Sequence, residues 1–125
     1  MKKLVFYRCN HCGNIAIKLV DKNVPLFCCG QMMTQISANT TDGAVEKHMP
    51  VVSRVGNVVS VKVGEVPHPM TEEHYISHIV AVTDRGFSVA ELEPNESPEA
   101  KFTLNENESL QGVYAYCNLH GLWGK

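Results

Sequence analysis

The sequence of 125 residues lacks any long apolar run and any marked excess of one charge. No stretch approaches the roughly 18 consecutive apolar residues of a membrane span, so we predict no membrane-spanning segment. The 11 Lys and Arg residues are scattered among 13 Asp and Glu residues, which leaves no basic stripe for the phosphates of a nucleic acid. With 44% hydrophobic and 19% charged residues, the composition is typical of a soluble globular protein.

Residues 1–8 open like a secretory signal, but Arg8 interrupts the apolar stretch before it reaches the length of about 7 that a signal core needs. We therefore predict a cytoplasmic protein whose first segment is a β-strand. The five cysteines agree with a reducing compartment, because their number is odd and two of them are adjacent. In such a compartment clustered thiolates usually bind metal instead of forming disulfides.

The first 37 residues contain four of the five cysteines. A segment this short does not bury enough surface to fold unaided, since chains below about 40 residues usually need a metal or disulfides. We predict a small metal-bound domain over residues 1–37 in which the metal replaces a hydrophobic core. Metal binding in such domains contributes on the order of 10 kcal/mol of folding free energy.

The texture changes to β-branched runs separated by turns over residues 38–125. Gly56-Asn57 predicts a two-residue hairpin, and Asp84-Arg85-Gly86 predicts a second hairpin. About six or seven short strands at this spacing predict an immunoglobulin-like antiparallel β-sandwich. The predicted strands of this region cover residues 51–55, 58–63, 75–83, 87–93, 100–104 and 112–117.

Four cysteines form the first candidate metal site. Cys9-x-x-Cys12 and the adjacent pair Cys28-Cys29 provide four thiolates, the number that a tetrahedral sulfur site needs. Adjacent side chains tend to diverge, so Cys28 and Cys29 both reach one ion only if the tetrahedron is distorted. From this segment alone, structural zinc and iron are equally supported. His11, between the first two cysteines, is expected to be solvated and not a ligand.

A second candidate site is spread over three segments, residues 46–50, 68–76 and 117–123. Each lies in a loop or beside a strand end, and a sandwich gathers its loops at its two ends, so donors distant in sequence can converge there. A single histidine or cysteine has other common roles. The combination, and not any one residue, indicates a metal site. Its candidate donors are His48, His68, His74, Cys117 and His120.

These segments resemble the motifs of superoxide reductases of the desulfoferrodoxin family, in the same order and with similar spacing. The four N-terminal cysteines resemble the additional desulforedoxin-like, rubredoxin-like domain of the two-iron members. The resemblance covers almost the whole chain. The matching segments are Glu46-Lys47-His48-Met49-Pro50-Val51, His68-Pro69-Met70-x-x-x-His74-Tyr75-Ile76 and Cys117-Asn118-x-His120-Gly121-Leu122-Trp123.

Two departures from the family pattern are visible. Asn23-Val24-Pro25 replaces a usually Gly-rich approach to the adjacent cysteines, and His78 stands where relatives often carry Trp. Neither change removes an expected ligand. His78 and His11 are not assigned to either predicted site.

The resemblance implies two mononuclear iron ions. One is expected on the four N-terminal cysteines, and the other on an equatorial square of histidines with an axial Cys117. Five ligands are more than tetrahedral zinc prefers, and they leave a sixth position open for redox chemistry. The expected ligands are Cys9, Cys12, Cys28 and Cys29 for the first iron and His48, His68, His74, Cys117 and His120 for the second.

The implied activity is superoxide reductase, the one-electron reduction of superoxide to hydrogen peroxide. The axial thiolate is expected to donate electron density, as a thiolate does in some haem enzymes, and to favour protonation and release of the product. The cysteine-bound iron is expected to store or relay electrons, and a small carrier such as rubredoxin is the expected donor. The resemblance also implies a homodimer.

Glu46 and Lys47 receive roles from the same resemblance. Taken alone, they are a solvated charged pair, because exposed charges are the rule. Within the motif, Lys47 is expected to attract the superoxide anion, and steering of this kind raises encounter rates towards about 10⁸ to 10⁹ M⁻¹s⁻¹ and weakens with salt. Glu46 is expected to occupy the sixth position of the ferric iron.

Three alternatives remain open at the level of the residues. The chain could be a zinc module in which both sites are structural, an electron carrier without superoxide chemistry of its own, or a dismutase. Zinc is d¹⁰ and gives a colourless protein, whereas ferric thiolate sites are coloured, so metal content and visible absorption separate the first alternative. The reaction with superoxide and its need for external electrons separate the other two.

Overall fold

A computed structural model describes residues 4–125 of the chain. These residues form two compact units, one that ends at Ser37 and one that begins at Ala38. The first three residues of the predicted N-terminal domain and of its predicted first strand lie outside the described part.

The N-terminal unit contains two small antiparallel sheets. In the first, β1 (Phe6–Arg8) lies between β2 (Ile15–Ile17) and β5 (Thr34–Ile36). In the second, β3 (Phe27–Cys28) pairs with β4 (Gln31–Met32). Most side chains of this unit are exposed or half-buried. Within residues 4–37 the buried side chains are Phe6, Cys9 and Met33.

The C-terminal unit is an antiparallel sandwich of a three-stranded and a four-stranded sheet, with strand orders β10-β7-β6 and β12-β11-β8-β9. This confirms the predicted fold class. The first sheet consists of β6 (Pro50–Val55), β7 (Val58–Val63) and β10 (Glu99–Thr103). The second consists of β8 (Ile76–Thr83), β9 (Gly86–Glu91), β11 (Leu110–Cys117) and β12 (Gly121–Gly124).

The core of the sandwich follows the two-residue period of its strands. In β7 every second side chain is fully buried, and in β11 the buried positions alternate in the same way until the strand ends at Cys117. The thiol of Cys117 is therefore carried on the core face of β11, at the end of the strand where the candidate histidines are found. The buried members of these two strands are Val59, Val61, Val63, Val113, Ala115 and Cys117.

Both predicted hairpins are present, and their turns consist of Gly56-Asn57 and of Asp84-Arg85. Gly56 has a φ of 59°, in the left-handed region that glycine adopts at low cost. Gly86, predicted to belong to the second turn, begins β9 instead. Within residues 4–125, no helix has the length and apolar character that crossing a membrane would need.

Two elements of the C-terminal unit were not predicted. The strand β12 has only four residues and is bounded by Gly121 and Gly124, which weaken any strand pattern. The single turn of helix α1 (Val45–His48) has no side-chain cap, and a helix this short has little intrinsic stability. Its conformation is fixed by its surroundings, since Val66 N–H donates to Glu46 O at 3.1 Å and Gly64 N–H donates to Met49 O at 3.1 Å.

Candidate metal centres

The four cysteines of the N-terminal unit converge. Their sulfur atoms all lie within 4.8 Å of one another, with 3.7 Å between Cys12 Sγ and Cys28 Sγ and 3.9 Å between Cys28 Sγ and Cys29 Sγ. A tetrahedron with metal–sulfur bonds of about 2.3 Å places its sulfurs about 3.8 Å apart. The spacing therefore fits a tetrahedral ion, and the adjacent Cys28 and Cys29 both take part because Cys29 adopts a φ of 54°.

The electrostatics of this cluster favour a cation. The backbone N–H of Cys12 donates to Cys9 Sγ at 3.4 Å, and this bond is the main cause that lowers the pKa of Cys9 to about 6. The pKa of Cys29 is raised to about 12, chiefly by its hydrogen bonds with Cys12 and Cys9. The thiolate of Cys9 thus forms readily, whereas Cys28 and Cys29 resist ionisation because their pKa values are raised. A bound cation removes that resistance, because it compensates the charge of the additional thiolates.

Four imidazole rings of the C-terminal unit form a square. Going round it, the ring centroids are separated by 4.6 Å from His48 to His68, 4.6 Å from His68 to His74, 5.0 Å from His74 to His120 and 4.8 Å from His120 to His48. The diagonal from His48 to His74 is longer, at 6.2 Å. Neighbouring rings are nearly perpendicular, with interplanar angles of 73° to 84°.

The protons on these rings identify the nitrogens that face the centre. His48 Nδ1–H donates to Ala44 O and His68 Nδ1–H donates to Pro69 O, each at 2.7 Å. In a neutral ring this leaves the lone pair on Nε2. The two Nε2 atoms nevertheless approach to 3.1 Å, and His120 Nδ1 lies 3.1 Å from His48 Nε2.

Lone pairs that converge without a proton between them repel one another unless a cation lies among them. Metal–nitrogen bonds of about 2.0 to 2.1 Å place two ligands at right angles about 2.9 Å apart, close to the 3.1 Å observed from His48 Nε2 to each neighbour. His74 Nε2 is buried and has no hydrogen-bond partner. The donor set therefore fits a metal ion that three Nε2 atoms and one Nδ1 atom surround.

Cys117 completes this centre. Its sulfur belongs with His48, His74 and His120 to a group of donors that all lie within 4.8 Å of one another, while His68 joins through its contact with His48. The thiol is fully buried, and this burial raises its pKa. The backbone N–H of His120 donates to Cys117 Sγ at 3.4 Å and acts in the opposite direction.

Burial favours the neutral form of three of the four histidines. Burial is the main cause that lowers the pKa of His48 and His74, and it lowers the pKa of His68 to about 4. A weaker contribution of the same sign comes from the charge of Lys47, which lowers the pKa of His48 and of His74. Neutral rings have the free lone pairs that metal binding requires.

Glu46 and Lys47 lie beside His48 on α1, but their side chains are exposed whereas His48 is buried. Glu46 lines a surface cavity of about 270 Å³ together with Glu65 and Lys125, among other residues. Its carboxylate is not part of the converging donor group. The remaining histidines lie elsewhere: His11 is exposed, and the ring of His78 bonds the Ser77 hydroxyl at 2.8 Å.

Further residues shape this centre without having been predicted to do so. Trp123 stacks on His48 with a centroid distance of 4.8 Å. Gly43 packs against both rings, because a Cβ atom there would lie 3.0 Å from Trp123 Cζ2 and 3.3 Å from His48 Cε1. Trp123 was visible in the last sequence motif, but nothing in the sequence places Gly43 next to it.

The comparison with known proteins agrees with this geometry. The desulfoferrodoxin family matches residues 40–125. The chain belongs to the desulfoferrodoxin family. A desulfoferrodoxin homologue of Archaeoglobus fulgidus is 44% identical over 117 residues, which cover 94% of this chain and 92% of the relative.

Solved structures of this family resemble the chain as well. The crystal structure of the superoxide reductase from Treponema pallidum matches with a TM-score of 0.84 at 34% identity, and the match covers 99% of both chains. The one-iron superoxide reductase from Giardia intestinalis is 35% identical, with a TM-score of 0.54, and the match covers 64% of this chain and 95% of the other. This chain thus resembles desulfoferrodoxins and superoxide reductases in sequence and in fold.

Proposed function

We propose that this chain is a superoxide reductase, which combines superoxide with one electron and two protons to give hydrogen peroxide. The observation that carries the proposal is the square of four imidazoles with a buried thiol beside it. Such a donor set is larger than a structural zinc site uses and suits a metal with redox chemistry. The chain contains two mononuclear iron centres of the kind found in desulfoferrodoxins.

We assign the ligands of the second iron to His48, His68, His74, His120 and Cys117, and those of the first iron to the four N-terminal cysteines. When bound, the second iron supplies the one-electron chemistry of the reaction. The protein provides the four rings, and the Nδ1–H bonds to Ala44 O and Pro69 O hold those of His48 and His68 in place. The N–H groups that donate to Cys117 Sγ favour its thiolate form.

Lys47 attracts the superoxide anion in this proposal. Its charge is exposed, yet it acts on the rings of His48 and His74, so a positive potential covers the approach to the centre. Superoxide carries one negative charge and is drawn inward, while salt screens the attraction. Hydrogen peroxide is neutral and leaves without that attraction.

Glu46 is proposed as the sixth ligand of the oxidised centre. Its carboxylate lines the cavity beside α1, so ligation requires the side chain to turn away from Glu65 and Lys125. The side chain of Glu46 is exposed, and exposed side chains change rotamer readily, so this movement does not require the helix to shift. The negative charge of Glu46 acts on His48, whose pKa it raises slightly against the larger effect of burial.

The N-terminal unit is proposed as the domain of a second iron that stores or relays electrons. An external donor is required because the reduction consumes an electron, and we propose a small electron-transfer protein such as rubredoxin.

We further propose a homodimer in the cytoplasm, where the reducing conditions keep clustered thiols available for metal. Light scattering of the purified protein tests the dimer.

The decisive experiment mixes the reduced protein with superoxide in a stopped-flow instrument, after metal analysis and visible spectroscopy. We expect two iron ions per chain, rapid oxidation of the second iron, and one peroxide formed per electron supplied. A colourless zinc protein would contradict the proposal. Peroxide formation that continues without reductant would indicate a dismutase, and a second iron that superoxide does not oxidise would indicate an electron carrier.

A further inference from the structure

His74 differs from His48 and His68 in how its ring is supported. The ring of His48 is fixed through Ala44 O and that of His68 through Pro69 O. Within residues 4–125 the ring of His74 makes no hydrogen bond, and its buried Nε2 has no partner. Metal-binding histidines usually hold their orientation through the second ring nitrogen, so the orientation of His74 must be fixed in another way.

The backbone on both sides of His74 is held by one side chain, that of Asn118. Tyr75 N–H donates to Asn118 Oδ1 at 3.0 Å, and Asn118 Nδ2 donates to Glu73 O at 3.0 Å. The backbone adds a third bond, from Asn118 N–H to Tyr75 O at 3.2 Å. Asn118 thus fixes both chain neighbours of His74.

This arrangement begins where the regular strand pairing ends. The ladder between β8 and β11 finishes with Cys117 opposite Ile76, after a register shift at Tyr116. Beyond that point the side-chain amide of Asn118 replaces the missing backbone partners. A side-chain amide carries an acceptor oxygen and a donor nitrogen side by side, and both are used here.

The contacts of Asn118 differ from those that the loop makes with itself. Thr71 and His74 exchange backbone hydrogen bonds of 3.0 and 3.2 Å, and the Thr71 hydroxyl accepts from His74 N–H at 3.1 Å. These bonds give the loop its local shape. The bonds of Asn118 instead attach the loop to the segment that carries Cys117, the immediate chain neighbour of Asn118.

We propose that Asn118 is a positioning residue that keeps the imidazole of His74 in place relative to Cys117. The inference deepens the proposed function, since it concerns the geometry of the same centre. Without the amide, Glu73 and Tyr75 lose their attachment, and His74 has no ring hydrogen bond with which to keep its orientation. The metal is then held less tightly on the side of His74.

The same strand pair offers a matched control. At the other end of β8, Asp84 N–H donates to Ser109 O at 3.1 Å and Ser109 N–H donates to Asp84 Oδ1 at 2.9 Å. This is the same pattern of a side-chain oxygen and a backbone N–H facing one opposite residue. An eight-residue strand separates the two ends by roughly 25 Å, so Asp84→Ala removes a similar restraint far from the metal centre.

The test compares Asn118→Ala, Asp84→Ala and the unchanged chain, each loaded with two irons. The readouts are the rate at which a chelator removes the second iron, the thiolate-to-iron absorption of the ferric form, and the unfolding temperature. We expect Asn118→Ala to release the second iron about 10 to 100 times faster, with a shifted absorption. Asp84→Ala should resemble the unchanged chain in release and absorption, although its unfolding temperature also falls.

Equal release rates and equal spectra for Asn118→Ala and Asp84→Ala would overturn the inference. If Asn118→Ala does not fold, Asn118→Asp is decisive, because it keeps the acceptor for Tyr75 N–H but loses the donor to Glu73 O. It should release iron faster than Asp84→Ala. If the unchanged chain binds two irons but does not reduce superoxide, the proposed function fails, whereas the comparison of release rates still tests Asn118.

Discussion

Lys47 and His48 are adjacent in sequence, but the side chain of Lys47 is exposed whereas that of His48 is buried. Successive side chains of a helix diverge by about 100°, so one turn of helix places His48 in the interior, where it is 2% exposed, and leaves Lys47 exposed. The chain thereby combines a proposed metal ligand, which is buried, and an exposed charge within two residues. We therefore expect substitutions of the two residues to affect the reaction with superoxide in different ways.

Lys47→Ala should slow the second-order reaction with superoxide by roughly tenfold, because a nearby cation worth about 1.4 kcal/mol in the encounter or transition state has that effect. The dependence of the rate on salt should also become flatter. Stopped-flow measurements over a range of ionic strength provide both quantities. A rate and a salt dependence that match those of the unchanged chain would show that Lys47 is an ordinary surface charge.

Glu46→Ala is the natural counterpart, since it removes the opposite charge one residue away. If Glu46 is the sixth ligand, the ferric absorption and its pH dependence should change, because water, hydroxide or an added anion takes the free position. Capture of superoxide should remain fast, since it occurs at the reduced centre. Wild-type ferric absorption across the whole pH range would rule out ligation by Glu46.

Cys117→Ser should remove most of the reductase activity and leave the iron of the N-terminal unit in place. The hydroxyl is a harder and weaker donor than the thiolate, and Cys117 contributes the one sulfur found among the converging donors of this centre. Absorption spectra report the lost thiolate band, and stopped-flow mixing reports the activity. An active variant with an unchanged spectrum would remove Cys117 from the ligand set.

The sequence was sufficient to nominate the donors but not their binding atoms. Cysteine and histidine at these spacings, within recognisable motifs, indicated which side chains to consider. His48 and His68 present Nε2 because their Nδ1 atoms contact Ala44 O and Pro69 O, whereas His120 presents Nδ1, which lies 3.1 Å from His48 Nε2. Those contacts form only after the chain folds, so neither composition nor spacing contains them.

Among the elements, the turn after β7 packs closely against the backbone of α1. Gly64 has a φ of 89°, and a Cβ atom there would lie 2.3 Å from Val66 O and 2.7 Å from Lys47 O. The absence of a side chain lets this turn approach the backbone of the helix and bond it through Gly64 and Val66. The turn after β7 therefore determines where the backbone of Lys47 lies.

Gly64→Ala should destabilise the C-terminal unit by about 1 to 3 kcal/mol, the usual cost of an unfavourable backbone conformation, with the close contacts adding to it. The displaced helix should also slow reaction with superoxide at low salt. Thermal unfolding and stopped-flow kinetics measure the two effects. Gly56→Ala is the matched control, because it also has a positive φ, of 59°, but no atom within 4 Å of an added Cβ. Equal losses in both variants would show that only backbone strain matters.

Glu108 links its own loop to the end of β8, at the opposite end of the second sheet from the candidate metal centre. Thr83 Oγ1 donates to its carboxylate at 2.5 Å and Asn105 N–H donates at 2.8 Å. These two bonds, that of Thr83 first, lower the pKa of Glu108 from its ordinary value. The carboxylate therefore contributes stability above the ordinary pKa of about 4.5, and loses that contribution as the pH falls through the lower value of the folded state.

Glu108→Gln should lower the unfolding temperature at neutral pH. The difference in unfolding temperature from the unchanged chain should disappear as the pH falls below about 4.5. Glu106→Gln changes an exposed carboxylate of the same loop and serves as the control for the lost charge. Calorimetry of the three proteins between pH 3 and 7 measures the differences in unfolding temperature. A difference that is constant with pH would mean that ionisation of Glu108 does not contribute to stability.

The elements that the sequence predicted well are those with strong local signals. Both hairpins of the sandwich have turn residues between β-branched runs, and both were found. By contrast β12 lies in the four residues from Gly121 to Gly124, where tertiary pairing with β11 imposes the strand. The helix α1 was missed for the same reason, because the turn at Gly64 and Val66 holds it from outside.

On the scale of the whole molecule, the two units differ in how they are stabilised. The C-terminal unit has a cluster of 12 buried apolar residues shared by its two sheets, which at roughly 1.5 to 3 kcal/mol for each large side chain is an ample source of stability. The N-terminal unit has only three buried side chains among residues 4–37. We therefore propose the two units as separate domains, of which the first depends on its metal.

This difference predicts the outcome of Cys12→Ser. The variant removes one of four sulfurs from a cluster in which Cys12 and Cys28 lie 3.7 Å apart, and only three side chains are buried among residues 4–37. We expect one iron per chain instead of two and loss of the corresponding absorption. His11→Ala, at an exposed position in the same turn, should retain both irons.

The second centre should survive Cys12→Ser, because every donor assigned to it lies in the C-terminal unit. When that centre is reduced chemically beforehand, superoxide should oxidise it within about twofold of the normal rate, as expected for independent sites. Turnover with an external donor should slow only if the first iron relays electrons. A pre-reduced Cys12→Ser protein that no longer reacts with superoxide would show instead that the two centres are obligately coupled, and the domains could then not be treated as separate in function.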